Sequence, residues 1–373
     1  MRYWFEMAAN TEIIRDARSD DLSAIVEEAA AALREGRLVV VPTETVYGLM
    51  ASALAPDALA RLSELYQGEG PVIAAWHAWS TEQATEALEP LDRVHRRLLR
   101  RATPGPVSFW IRLTQAQQDR CVEVLGTVPG VGTAGDEVVV RVPEHALARR
   151  IIERAGVPIV ANRLRAVGAS HEHTAEGAAE IPGVELVIDD GPTRYSQPST
   201  TVRLDDDGGF TVERPGVLDE RHLARAARHT VLVVCTGNTC RSPMAEAIIR
   251  DEVARGGGVG VRVISAGAAA FAGAPATAEA VQVMQAQGLD ISPHRARELT
   301  REMIAEADVI LAMTRNHLAA INAIDPSAAR KAATLDPEGA DVPDPIGNPH
   351  SVYTETAERI RLLARRRLEE LLG

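Results

Sequence analysis

The 373-residue chain has few cysteines, almost no lysine, few aromatic residues and no long apolar run. Three cysteines (Cys121, Cys235 and Cys240) cannot staple a secreted fold and agree with a reducing compartment. No stretch of 18 apolar residues is present to cross a bilayer. The start, "MRYWFEMAANTEIIRDARSDD", lacks the basic-then-apolar order of a secretion leader. The expected location is therefore cytoplasmic, with no membrane partner. A formal charge of −12 argues against a general nucleic-acid-binding surface. Lysine occurs once, at Lys331, so almost no position can use lysine chemistry. All four tryptophans (Trp4, Trp76, Trp79 and Trp110) precede residue 111, so the two ends of the chain differ in composition.

What is present is an apolar fraction of 46% and a charged fraction of 25%, the balance of a globular protein. The length exceeds one ordinary core and suits two domains. Early on, an Ala-rich periodic run from Leu22 to Leu33 precedes Gly36 and the β-branched run Leu38–Val41. "DEVVVRVPEH", "GVPIVAN" and "FTVERPGVL" read as further strands. Residues 218–228 read as a linker or short basic helix. The pattern then restarts with "TVLVVCTG", an uninterrupted apolar strand of the kind a parallel sheet buries on both faces. Strands and helices alternate to the end. The expected class is α/β in two domains, 12–217 and 229–373, the second with a doubly wound parallel sheet.

"CTGNTCRS" (Cys235–Ser242) places a cysteine and an arginine around a glycine, directly before a helix. The loop Thr236–Cys240 can curl its backbone N–H groups inward around an anion, and Gly237 permits the necessary angles. Pro243 suits the first turn of the following helix, whose N-terminus adds positive partial charge. Arg241 can grip two phosphoryl oxygens with its planar fork. The same field favours a thiolate at Cys235, to which Ser242 can donate a hydrogen bond. A metal at Cys235 and Cys240 is the poorer reading, since no second cysteine pair exists and His229 is the one nearby imidazole; none is expected. Downstream, "DVPDPIGNP" offers Asp344 as a carboxyl group able to protonate a leaving group. Cys240 reads either as a small packing residue or as a redox partner that shields Cys235 through a reversible disulfide.

"VCTGNTCRSPMAEA", "SAG" (Ser265–Gly267), "ADVILAM" (Ala307–Met313) and "DPIG" (Asp344–Gly347) occur in the order of the low-molecular-weight phosphotyrosine phosphatase family. The resemblance covers about 229–373. It implies that Cys235 attacks phosphorus to form a phosphocysteine, and that Arg241 and the backbone of Thr236–Cys240 hold the equatorial oxygens. Asp344 would protonate the leaving group and then activate water; Asn238 would brace the loop and Ser242 support the thiolate. No cofactor is implied, and the partners would be phosphorylated proteins. Two departures bear on the substrate. Thr239 stands where tyrosine phosphatases usually carry an aliphatic residue, and Ile346-Gly347 follows Pro345 where they carry tyrosines. Thr239 resembles the protein-arginine phosphatase branch, so phosphoarginine is the expected substrate, with phosphotyrosine as the alternative.

"REGRLVVVPTETVYGLMASA", "PGPVSFWI", "VVVRVPEH" and "PSTTVRL" together resemble the threonylcarbamoyl-AMP synthase family over roughly 12–217. That family makes an intermediate of tRNA modification from threonine, bicarbonate and ATP, and the resemblance implies a twisted α/β sheet with a concave nucleotide-binding face. Thr43, Thr45, Tyr47, Arg141, Ser199 and Thr200 match as a pocket set. The family's phosphate-binding cations do not: "LYQGEGPVIAAWH" puts Gln67 and Glu69 where lysine and arginine are expected. Replacing a cation by a carboxylate 4 Å from a phosphate exchanges attraction for repulsion worth about 4 kcal/mol at an effective dielectric of ~20. Arg163 and Arg165 stand near the usual Ser and Asn and read as solvated arginines, with a new anion contact as the alternative. The expectation is a domain that no longer makes threonylcarbamoyl-AMP. A bifunctional protein that still does, using ATP and touching nucleotide or tRNA, is the alternative.

Overall fold

Side chains that alternate between two faces build both sheets of this chain. The computed structural model describes residues 13–67, 74–129 and 136–372. It divides into two units, with the break between Ala227 and Arg228.

The first unit holds one mixed sheet. Its strands are β1 (Ile13–Asp16), β2 (Val39–Val41), β3 (Gly48–Ser52), β4 (Ala75–His77) and β5 (Val107–Arg112). They continue with β6 (Glu137–Arg141), β7 (Ile159–Arg163), β8 (Leu186–Asp189), β9 (Thr200–Leu204) and β10 (Phe210–Arg214). Among the described residues they lie in the order β1-β8-β2-β3-β7-β4-β6-β5-β9-β10. One face packs on the helices Leu22–Arg34 and Ala146–Ala155 through Val39, Val41, Met50 and Ile159. The helix Leu22–Arg34 starts where Asp21 accepts the Ser23 N–H. Gly36, at φ 76°, follows its end in a conformation glycine adopts at little cost. On β5, β6 and β4 the period of two leaves Ser108, Trp110, Val139, Arg141, Ala75 and His77 on a face that lines a cavity.

Residues 218–228 are not a free connection. Glu220–Ala227 is a helix that packs on Arg93–Ala102, with Leu223 fully buried and Ala227 buried in the first unit's core. Leu223 and Ala227 are four apart and share one helix face, an apolar pair hidden among charged neighbours.

The second unit holds four parallel strands, β11 (His229–Cys235), β12 (Val261–Gly267), β13 (Val309–Ala312) and β14 (Ala332–Thr334), in the order β12-β11-β13-β14. Val231, Val233 and Cys235 face the helices Arg241–Arg255, Ala278–Ala286 and His350–Arg366. Leu232 and Val234 face Arg301–Glu306 and Arg315–Ile324. The sheet is thus covered on both faces, the doubly wound arrangement. Because β11 has β12 on one side and β13 on the other, the winding reverses at its carboxyl end, where open α/β sheets place their ligands. Among the described residues, no helix is long and apolar enough to cross a membrane.

Candidate active site

Cys235 is the last residue of β11 and is 3% exposed. Its Sγ lies 2.9 Å from Ser242 Oγ and accepts the Asn238 backbone N–H at 3.3 Å. Asn238 sits in the left-handed region at φ 55°, which asparagine tolerates better than most side chains. Four contacts hold it there. Its Nδ2 donates to Ser242 Oγ and Ser265 Oγ, both at 2.9 Å. Its Oδ1 accepts the Arg297 N–H at 3.0 Å, and its carbonyl oxygen lies 2.8 Å from His294 Nε2. The helix Arg241–Arg255 follows with no side-chain cap, so no side chain competes with an anion for its first N–H groups.

Arg241 is 5% exposed. One guanidinium nitrogen donates to the Val342 carbonyl at 3.2 Å; the other donates to Thr236 Oγ1 at 3.5 Å and pairs with the Asp344 carboxylate. The second Asp344 oxygen accepts the Ile346 N–H at 3.2 Å. The Pro-bracketed loop is therefore fastened to the same arginine that follows the cysteine loop. The backbone after β12 is fastened to it as well. Ala268 N–H donates to the Cys235 carbonyl, Ala269 N–H to that of Thr236 and Thr277 N–H to that of Thr239, each at 2.9 Å. Phe271, 87% exposed, lies on this strapped loop, while Ile346 is exposed after Pro345. The exposed aromatic ring comes from a segment the sequence reading did not consider.

Thr239 is half-buried, with Oγ1 3.6 Å from Cys240 Sγ. Cys240 is buried, its Sγ 3.8 Å from the Tyr353 hydroxyl, and both Cys235 and Cys240 are free thiols. Sequence reasoning missed His317. Its Nε2 lies 2.9 Å from Thr236 Oγ1 and its Nδ1 2.9 Å from Thr314 Oγ1. Burial lowers its pKa, and the Arg241 cation pushes the same way against Asp344 and Asp341.

This geometry coincides with a family match: residues 230–372 fit the low molecular weight phosphotyrosine protein phosphatase profile. A probable low molecular weight protein-tyrosine-phosphatase, EpsP of Ralstonia nicotianae, is 41% identical over 133 residues, 35% of this chain and 88% of that protein. The chain belongs to this family. Its second unit is a low-molecular-weight protein phosphatase enzyme. A protein-arginine-phosphatase of Geobacillus stearothermophilus is 37% identical over 147 residues, 38% of this chain and 96% of that protein. Residues 31–216 fit a second profile, described as telomere recombination (Sua5, YciO, YrdC). Threonylcarbamoyl-AMP synthase of Pyrococcus abyssi is 34% identical over 181 residues, 47% of this chain. The chain spans about half (49%) of that relative's length.

In the first unit the expected pocket set divides. Thr43, Arg141 and Ser199 line a cavity of about 300 Å3. Thr45 lies beside it, its hydroxyl 3.0 Å from Thr43 Oγ1 and 2.5 Å from an Arg141 guanidinium nitrogen. Tyr47 and Thr200 turn elsewhere. The Tyr47 hydroxyl donates to the Gly191 carbonyl at 2.7 Å, and the Thr200 hydroxyl donates to the Leu218 carbonyl at 2.8 Å. Arg165 is exposed as expected, but Arg163 is not simply solvated: it lines the cavity and pairs with the buried Glu172 at 3.1 Å. Arg214, unforeseen, also lines the cavity; burial, then the charge of Arg163, lowers its pKa to about 10. The buried His77 is likewise lowered, to about 4, by burial and then by Arg141. Gln67 donates its backbone N–H to the Ala166 carbonyl, and its side chain lies against Gly168. Glu69 lies outside the described residues.

Proposed function

We propose that the second unit hydrolyses phosphoarginine on proteins through a phosphocysteine. The observation that carries the mechanism is the joining of Cys235, Arg241 and Asp344 around one loop. The Cys235 thiolate attacks phosphorus as the bond to the leaving nitrogen breaks, and Asp344 gives that nitrogen its proton. An incoming phosphoryl group competes with Asp344 for Arg241; released from the cation, the carboxylate takes up a proton from solvent, and it is this proton that it gives to the leaving nitrogen. Asp344 then takes a proton from water. The water oxygen attacks phosphorus, the S–P bond breaks, and phosphate and thiolate are regenerated. Backbone N–H groups and Arg241 hold the charge of the transition state.

Thr239 supports phosphoarginine over phosphotyrosine, because it places a hydroxyl in the loop, as does the likeness to a protein-arginine-phosphatase. Phosphate release from phosphoarginine and phosphotyrosine peptides, with Cys235→Ser as blank, tests the reading. Thr239→Ile should shift preference toward phosphotyrosine; an unchanged ratio defeats the assignment.

The first unit, on this reading, makes no threonylcarbamoyl-AMP. Its support is the uncharged Gln67 at a position of expected cations, and Arg163 tied to Glu172 in the cavity. Pyrophosphate release that depends on threonine, bicarbonate and ATP together would restore the bifunctional alternative.

A further inference from the structure

His317 lies outside the cysteine loop, the arginine and the acid, yet it is 7% exposed and touches the loop by a side chain. The hydrogen-bonding capacity of its two neighbours orders the contacts. Thr314 is the N-cap of the helix Arg315–Ile324, and its Oγ1 accepts the His317 backbone N–H at 3.3 Å. The Thr314 hydroxyl proton is then free to go to His317 Nδ1, 2.9 Å away. With Nδ1 as acceptor, the neutral ring carries its proton on Nε2, 2.9 Å from Thr236 Oγ1. Arg241 also donates to Thr236 Oγ1, at 3.5 Å. That oxygen thus receives two N–H groups, one from each neighbour. Its own proton is not needed by either, and Thr236 is an exposed residue immediately after Cys235.

We propose that His317 is a positioning residue of the phosphatase site: it fixes the Thr236 hydroxyl beside Arg241 so that the hydroxyl proton faces outward and donates to a phosphoryl oxygen of the substrate. The inference rests on the phosphatase reading and adds one side-chain donor to the backbone cradle. A chain Thr314–His317–Thr236 carries the orientation. His317 itself touches no substrate. The charged groups around the ring are Arg241, Asp344 and Asp341. Arg241 opposes a second proton on the ring and so helps hold the neutral form, while the two carboxylates oppose Arg241.

The test is steady-state phosphate release by the full-length chain from phosphoarginine and phosphotyrosine peptides. Four variants are compared with the parent: Thr236→Val, His317→Leu, the double variant and His317→Gln. Thr236→Val keeps shape and backbone but removes the hydroxyl, and should lower kcat about tenfold with KM nearly unchanged. His317→Leu should lower kcat to a similar extent, and the double variant no further than either single one, because both remove the same donor. His317→Gln offers an amide N–H in place of Nε2 and should restore most of the rate. Undiminished kcat in Thr236→Val overturns the inference even if His317→Leu does not fold. So do losses that multiply in the double variant, or a His317→Gln variant as slow as His317→Leu. A parent that releases no phosphate overturns the phosphatase reading and this inference together, whereas an active parent with an unaffected Thr236→Val overturns this inference alone.

Discussion

A methyl group at position 267 has nowhere to go. A Cβ there would lie 2.5 Å from the Thr236 carbonyl oxygen and 2.9 Å from the Asn238 nitrogen, both backbone atoms of the loop that follows Cys235. Backbone cannot swing aside as a long side chain can, so Gly267→Ala must displace the loop. The expected outcome is a fall in kcat/KM of more than a hundredfold with a stability loss of about 1–3 kcal/mol. Peptide kinetics and urea unfolding check both numbers; a variant of parental activity would show that the loop tolerates the shift. At this scale the sequence was readable where chemistry is contiguous: Cys235, Asn238, Arg241 and Ser242 all lie within one run, and hydrogen bonds join Cys235, Asn238 and Ser242 to one another. His317 was not readable, because 81 residues separate it from Thr236 and "MTRNH" resembles an ordinary helix start. The signal that could have found it is topological. Parallel neighbours end at the same edge, so residues just after β13 arrive beside residues just after β11.

Among the elements, Glu220–Ala227 reads in the sequence as a linker or a short basic helix; it is the helix, and what the sequence does not show is that it is packed into a core. Its composition is that of a solvated connection, and the single leucine on its buried face gives a periodic signal too short to see. Leu223 nevertheless fills the first unit's core. Leu223→Ala should destabilise the chain by about 2–5 kcal/mol, read from the shift in urea midpoint; less than 0.5 kcal/mol would return the segment to the status of a tether. The regular strands were legible for the opposite reason. The run from His229 to Cys235 has no polar interruption except at its first two residues, and all seven positions are buried. Where strands bury only one face, the alternation was visible but not its use: Arg163 ends β7 on the cavity side, and its partner Glu172 lies nine residues on, in a polar stretch with no pattern.

For the molecule as a whole, His77 couples folding to pH. Its ring is buried, with Nδ1 2.9 Å from the Ala75 carbonyl, and burial and Arg141 hold its pKa at about 4. Above pH 6.5 the ring is neutral in folded and unfolded chains alike and contributes nothing to the pH dependence. As pH falls from 6.5 toward 4, the unfolded chain takes up a proton that the fold refuses, and stability drops by up to about 3 kcal/mol. His77→Gln should flatten the unfolding free energy over that window relative to the parent; an identical slope in both chains would remove His77 as the source. The division into two families was legible from ordered motifs along the chain, whereas of the cavity's arginines only Arg141 was expected there; Arg163 and Arg214 come to it from two other strands. One consequence of β11 concerns parity. Odd-numbered positions Val231, Val233 and Cys235 serve one core, and even-numbered Leu232 and Val234 serve the other. Deleting or adding a single residue within this strand would exchange the two sets and turn the thiol to the opposite side of the sheet, away from Ser242. Genetic drift in this strand can therefore change letters but not count, because the reading frame of the pleat is also the aim of the nucleophile.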